Sequence, residues 1–367
     1  MIPFHIGVQV IGDDFCPRVE ETGRLREVMQ SFGRIYLVGE RRIGKSSLIA
    51  EAARPLKKLR SVFVDLMAVK GADDLTHRFA QAMLCAERTQ SRVLSLVKSL
   101  SLLRPSISFD TATGNPSVTF APESGSRLET LDELFAALQR QKNGVVILDE
   151  FQDIQNLPDA PLILARLRNL IQQARHTGFV FCGSIRNRME EIFTDEKSPF
   201  FNSAVRLQVG PLDRTLFQAF LSERFAEGRR TVPEPLLNSI MDACQDNPGH
   251  IQRFCVSLWQ VTSYGQKIDE KEVVSAWEVL FGMQKDAYEL LIAELSSQQM
   301  KVLRALAHAG GSSGVSSSFL QLTGITLAAS VHKAMSRLVE RRLVQKINTA
   351  YRFCDPFLAA WLRKQPM

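Results

Sequence analysis

The spacing of apolar positions changes twice along the chain, and each change marks a different architecture. Over residues 1–210, short apolar runs recur between stretches of helical spacing: 34–38 (RIYLV), 61–66 (SVFVDL), 144–148 (GVVIL) and 178–182 (GFVFC). Each is too short for a helix and too apolar for a half-exposed strand, so each predicts a strand buried on both faces. Their alternation with helices predicts an α/β core built on a doubly wound parallel sheet. One stretch interrupts the rhythm. After a leucine-rich helix end, SISFD and PSVTF read as two alternating strands around a Thr113-Gly114 turn, a hairpin inserted at about residues 104–122. The hairpin either packs back on its own core or docks a partner or another subunit. Packing back is favoured, because large exposed apolar patches are uncommon.

From residue 211 the period becomes helical throughout, with candidate helices at 216–227, 235–245, 251–264 and 269–294. This predicts a helical lid over 211–295, its last helix leading into a further domain. The pattern shifts again at 296. Short helices at 300–308, 316–322 and 328–341 precede two strands, 343–347 and 351–353, around Asn348-Thr349-Ala350. Three helices and a wing predict a winged-helix domain over 296–367.

Apolar residues make up 45% of the chain and charged residues 23%, which excludes a disordered or collagen-like protein. The N-terminus lacks a basic start before an apolar stretch, and no window approaches a membrane span, so a cytoplasmic protein without a membrane partner is expected. The six cysteines are far apart, with no CxxC pair, and suggest neither zinc nor disulfides. Charge is unevenly placed. From Gln298 onward ten Lys/Arg face two acids, so this end carries +8 of a formal net +6 and the preceding residues carry −2. A basic module on a near-neutral body is the asymmetry of a chain whose last domain meets a polyanion.

The candidate chemistry begins directly after the first apolar run. Residues 39–46 read GERRIGKS and lead into SLIAEAA, giving strand, glycine loop and helix in the order a phosphate-binding P-loop requires. Gly39 and Gly44 are expected to take positive-φ conformations that turn the loop amides inward. The helix N-terminus adds partial positive charge, Lys45 a point charge on the phosphates, and Ser46 a hydroxyl for magnesium. Gly39, Arg42, Ile43, Gly44, Lys45, Ser46 and Ser47 are therefore candidate nucleotide-binding residues. Arg41 and Arg42 either touch phosphate or a neighbouring subunit, or form a solvated basic loop. The strand ending in Asp149 and Glu150 delivers two carboxylates to the same sheet edge. Asp149 is the expected partner of magnesium, and Glu150 the residue that orients or deprotonates the attacking water. Ser184, after the fourth apolar run, reads as a polar sensor of the γ-phosphate or as a turn serine.

Phe15-Cys-Pro-Arg18-Val-Glu-Glu21, the double arginine of GERRIGKSSLI, VVILDEFQ, FVFCGS, SPFFNSAVRLQVGPL, NPGHIQ and DPFLAAWLR together resemble the archaeal and bacterial ATPase family of the STAND branch, relatives of the AAA+ and Orc-type initiator ATPases. The resemblance covers nearly the whole chain. It implies a P-loop ATPase core at 1–210, a lid and a winged helix, with ATP and magnesium as ligands. Arg18 matches a segment near the base of the nucleotide, and 207–212 matches the last core strand and the turn into the lid. Ser203 stands where many relatives have an arginine, leaving Arg186, Arg188 and Arg206 only as neighbours in sequence. In the lid motif, His250 or Arg253 takes the place of a γ-phosphate sensor, or the sensor is absent.

In the last domain, Lys333, Arg337, Arg341, Arg342 and Lys346 are candidates for nucleic-acid phosphates, with Ser330, His332 and Ser336 available to base edges. Winged helices of this kind also serve protein contacts, so DNA and protein partners both stand. The expected function is an ATP-driven conformational switch with hydrolytic capacity, acting as a monomer or a nucleotide-dependent oligomer. The alternative is a DNA-binding regulator that holds nucleotide as a structural ligand without turnover. A small-molecule phosphotransferase is disfavoured, since no acceptor pocket is recognisable.

Overall fold

A computed structural model of the chain describes residues 2–87, 89–98, 105–109, 116–120, 129–183, 186–311, 316–347 and 350–365. It divides into two compact units: Val8–Leu212, and Met1–Gly7 together with Asp213–Met367.

In the first unit, α1 (Val19–Gln30), β1 (Arg34–Val38), α2 (Lys45–Ala53), β2 (Arg60–Asp65), α3 (Ala72–Cys85) and α4 (Gln90–Lys98) precede the hairpin β3 (Pro105–Phe109) and β4 (Pro116–Phe120). After it come α5 (Glu129–Arg140), β5 (Gly144–Asp149), α6 (Ala160–Gln173), β6 (Thr177–Gly183), α7 (Arg186–Thr194) and β7 (Val205–Gln208). Five strands form one sheet in the order β2-β5-β6-β1-β7, with every pairing parallel. The continuous apolar runs have their physical reason here, because β5 and β6 are central strands covered on both faces. Alternate residues of β5 serve different cores: Val146 and Leu148 pack with Phe79, Phe135, Phe151 and Phe181, while Val145 and Ile147 pack with Leu25, Leu37, Leu48 and Ile49. In the edge strand β2 burial alternates, and Phe63 is exposed.

The parallel arrangement brings the C-terminal ends of β1, β2, β5 and β6 to one edge, with Asp65 in register with Asp149 and Val38 with Gly183. The sequence does not reveal that β6 lies between the loop-bearing β1 and the acid-bearing β5. In the hairpin Ile107 pairs with Val118, and β4 runs beside α3 of the same unit. The expected Thr113-Gly114 turn lies outside the described residues.

The second unit holds α8 (Arg214–Ala226), α9 (Glu234–Ala243), α10 (Pro248–Gln260), α11 (Glu270–Ala293), α12 (Ser297–His308), α13 (Ser317–Thr323), α14 (Ala328–Glu340), β8 (Val344–Ile347), β9 (Ala350–Phe353) and α15 (Pro356–Lys364). Capping boxes start α11 (Asp269 with Glu272) and α12 (Ser296 with Gln299), dividing the long helical stretch where the sequence pattern changes. The expected lid and winged helix fall within this one unit, and its core gives the reason. Phe357, fully buried at the start of α15, meets His250 of α10 edge-on at 5.4 Å and Trp277 of α11 at 5.7 Å, while the Tyr288 hydroxyl donates to Asp355 at 3.1 Å. The first residues of the chain join the same unit through Phe4, whose ring lies 4.8 Å from Phe225. Among the described residues, no helix is long and apolar enough to cross a membrane.

Candidate functional site

The loop after β1 is held tightly against the sheet. A Cβ on Gly39 would lie 2.5 Å from the carbonyl oxygen of Val209, so glycine is required there for close approach and not for the positive φ expected from sequence. Gly44 does take the left-handed conformation, at φ +99°, and caps α2. Arg42 shares that region at φ +64° and is exposed, whereas Ile43 is buried in the core.

Lys45, the first residue of α2, turns its ammonium back across the loop and donates to the carbonyls of Gly39 at 2.9 Å and Glu40 at 2.8 Å. Burial lowers its pKa, an effect partly offset by the nearby Glu150, Asp149 and Glu40 carboxylates. Such an ammonium, desolvated and resting on neutral acceptors, is stabilised by an arriving polyanion. Ser46, one residue on, lies with its hydroxyl 3.4 Å from the Asp149 carboxylate. Ser47 faces another way and accepts the Val10 amide at 3.1 Å, so the segment before α1 is stitched along α2; Gln9 adds a bond to the Ser46 carbonyl and Gly12 one to Glu51.

Asp149 ends β5 beside Cys182 of β6. Burial pushes its pKa up, and the neighbouring Glu150 and Asp65 push the same way, against a hydrogen bond from the Cys182 thiol. A carboxylate in that condition is poised to gain from a cation. Glu150 adopts left-handed backbone at φ +50°, which swings its side chain off the strand direction, and its carboxylate accepts the amide of Gln152. Gln152 is fully buried, and its Oε1 has no partner among the described residues. A Cβ on Gly183 would stand 2.0 Å from that oxygen, which accounts for the glycine at the end of β6. Sequence reasoning missed both Gln152 and Cys182. The only signal was their place, two residues after Glu150 and at the end of a buried run.

Arg18, expected near the nucleotide base, has a different set of partners. Its guanidinium is buried and donates to the carbonyl of Ile43 in the loop at 3.1 Å, to the carbonyl of Gly210 at 2.8 Å, and to Glu21 at 3.2 Å. One side chain therefore ties the phosphate loop to the end of the core. Burial lowers its pKa, with Glu21 acting in the opposite direction. Replacing Arg18 with Met is expected to cost about 2 kcal/mol of unfolding free energy in urea denaturation, because one buried and one partly buried carbonyl lose a charged donor.

The loop residues from Gly39 to Ser46 are thus brought together with Asp149 and Glu150. Ser184 is outside the described residues. His250 is buried in the second unit against Phe357. Arg206 pairs with Glu190 at 2.6 Å and Arg188 binds Asn156, while Ser203 lines a cleft at the other edge of the sheet. On α14, Lys333 and Arg337 are exposed along with His332 and Ser336, and Arg341, Arg342 and Lys346 follow on the exposed surface toward the wing. Arg337 pairs with Glu340 and Arg341 with Glu294.

A family model described as an ATPase domain predominantly from Archaea matches residues 15–254, and one described as a probable winged helix domain matches residues 286–364. Among curated proteins, none matches the chain. In solved structures the chain is similar to the Walker-type ATPase PABY2304 of Pyrococcus abyssi, at 20% identity and a TM-score of 0.69, covering 98% of this chain and 99% of that one. It is also similar to the Orc1 protein of Aeropyrum pernix in complex with DNA, at 14% identity and a TM-score of 0.53, covering 97% and 94%. At these identities the likeness is one of fold.

Proposed function

The chain belongs to the family of ATPase domains found predominantly in Archaea, and on that premise we propose that it hydrolyses ATP with magnesium and uses the γ-phosphate to switch its second unit. The observation that carries this reading is the convergence of the Lys45 loop with Asp149 and Glu150, seen in the 3.4 Å approach of Ser46 to Asp149. A loop without room for a Cβ at Gly39, a desolvated ammonium and a half-buried carboxylate with a raised pKa form a donor set that fits a magnesium nucleotide.

In this reading the loop amides and Lys45 hold the phosphates, and Ser46 and Asp149 hold magnesium. The metal, when bound, supplies neutralisation of charge on the phosphate oxygens. Glu150 accepts a proton from water as the water oxygen bonds to the γ-phosphorus and the bond to the bridging oxygen of ADP breaks. Ser184, following β6, is assigned contact with the γ-phosphate. His250 is given a different part: its packing on Phe357 ties α10 to α15, so the helical bundle and winged helix respond as one body. The double arginine in the loop supports the STAND branch.

The partner assigned to the basic last domain is duplex DNA. Affinity should fall steeply with salt, and Lys333→Ala with Arg342→Ala should reduce the slope of log K against log salt by about 2 while weakening all sequences alike. These two are chosen because, among the described residues, neither enters an ion pair. An unchanged slope would remove the DNA assignment. One observation favours a second reading, a regulator that holds nucleotide without turnover: Ser203 stands where many relatives of the family it resembles have an arginine, and a missing transition-state cation slows phosphoryl transfer by orders of magnitude. ATP turnover measured with and without duplex DNA separates the two, since the regulator hydrolyses in neither case.

A further inference from the structure

The edge of the sheet remote from the phosphate loop carries a second cluster of cations. Arg34 and Val38 are the two ends of β1, so roughly 13 Å of strand at 3.3 Å per residue separates this edge from the loop. A cleft of about 530 Å³ opens there, lined by Phe32, Arg34, Gln172, Arg175, Asn202 and Ser203, with no acidic side chain among its described lining. Arg168 stands near enough to repel Arg34, adding to the larger effect of burial in lowering the Arg34 pKa.

The donors of this cluster are incompletely used. One Nη of Arg34 caps the end of α6 on the carbonyls of Ile171 at 3.0 Å and Gln172 at 3.5 Å. Its Nε, however, is buried and has no acceptor among the described residues, and the same holds for one Nη of Arg168 and for the hydroxyl of Ser203. A buried donor without a partner costs about 1–3 kcal/mol, more when charged, and two of these three belong to residues that line the cleft, Arg34 and Ser203. Guanidinium groups beside a hydroxyl, with no carboxylate among the described lining to neutralise them, have the composition of an oxyanion site. Two lining arginines, with Arg168 near one of them, call for more charge than one carboxylate brings, whereas a phosphate group carries nearly two charges and three strong acceptor oxygens.

We infer that this cleft binds a small phosphate-bearing ligand, independently of the triphosphate loop, through Arg34, Arg175 and Ser203 of its lining, with the charge of Arg168 close behind Arg34. The inference does not rest on ATP hydrolysis. Its test uses the 367-residue Lys45→Ala chain, in which the loop's own hold on phosphate is weakened, titrated calorimetrically with inorganic phosphate and with glycerol 3-phosphate against sodium chloride of equal ionic strength. The expected result is saturable binding of one phosphate or ester per chain, weakened by about tenfold or more when Arg168→Gln and Arg175→Gln are added. Tighter binding of the ester identifies a phosphorylated small molecule as the occupant, and tighter binding of the ion identifies free phosphate. Arg34 also caps α6, so its replacement risks the fold; Arg175 is exposed, and Arg175→Gln alone is expected to weaken binding with an unchanged melting temperature. No heat beyond that of chloride, or equal affinity in the Arg168/Arg175 double variant, would overturn the inference.

Discussion

Lys45→Ala is expected to raise the dissociation constant for ATP by at least about a hundredfold, taking 1.5–3 kcal/mol for each charge-assisted hydrogen bond lost and one factor of ten per 1.4 kcal/mol. The reason lies in how the ammonium is held. It is buried, its pKa is lowered by that burial, and it rests on the Gly39 and Glu40 carbonyls, which are weaker partners than phosphate oxygens. The substitution removes the only side-chain cation buried in this loop among the described residues, while the glycine-built backbone remains. Equilibrium binding of a fluorescent ATP analogue reads the loss, and thermal unfolding without nucleotide shows whether the fold persists. A Kd within threefold of the parent chain would remove Lys45 from the site.

Glu150→Gln is expected to separate binding from chemistry. The amide has the same shape, and side-chain replacement leaves the left-handed backbone at position 150 acceptable to the same extent, so the loop and Asp149 stay in place. What is lost is the proton acceptor, a group worth about 10²–10⁴ in rate. ATP should therefore bind as before while phosphate release falls by about that factor. The variant also faces Gln152, whose amide now meets another amide in place of a carboxylate. Turnover at the parent rate would show that water is activated by another group, and the assignment of Glu150 would fail.

Much of this site was legible because its parts are local in sequence. A buried strand, a glycine loop and a helix start occupy neighbouring positions, so residues 34–53 disclose the fold of that segment and where its lysine and serine stand. The run into Asp149 was legible for the same reason, since only a central parallel strand can be apolar at every position. Arg18 was not. Its role depends on carbonyls 25 and 192 residues away, and nothing in the local pattern distinguishes a surface arginine from one that clamps two distant turns. Gln152 was hidden likewise, because a glutamine after two acids reads as polar surface until the sheet closes over it. The helix α15 begins with Pro356 and is only nine residues long, too short to stand out by periodicity; the packing of Phe357 against α10 and α11 makes it part of the core. Gly39 was assigned a positive φ it does not have, because the crowding by Val209 that demands glycine there belongs to the tertiary structure.

The most direct measurement is a calorimetric titration of the full-length chain with ATP in the presence and absence of magnesium. The account predicts one ATP per chain with saturable heat, tighter with magnesium and abolished by Lys45→Ala. No detectable binding of ATP at millimolar concentration, or binding untouched by that substitution, would contradict it.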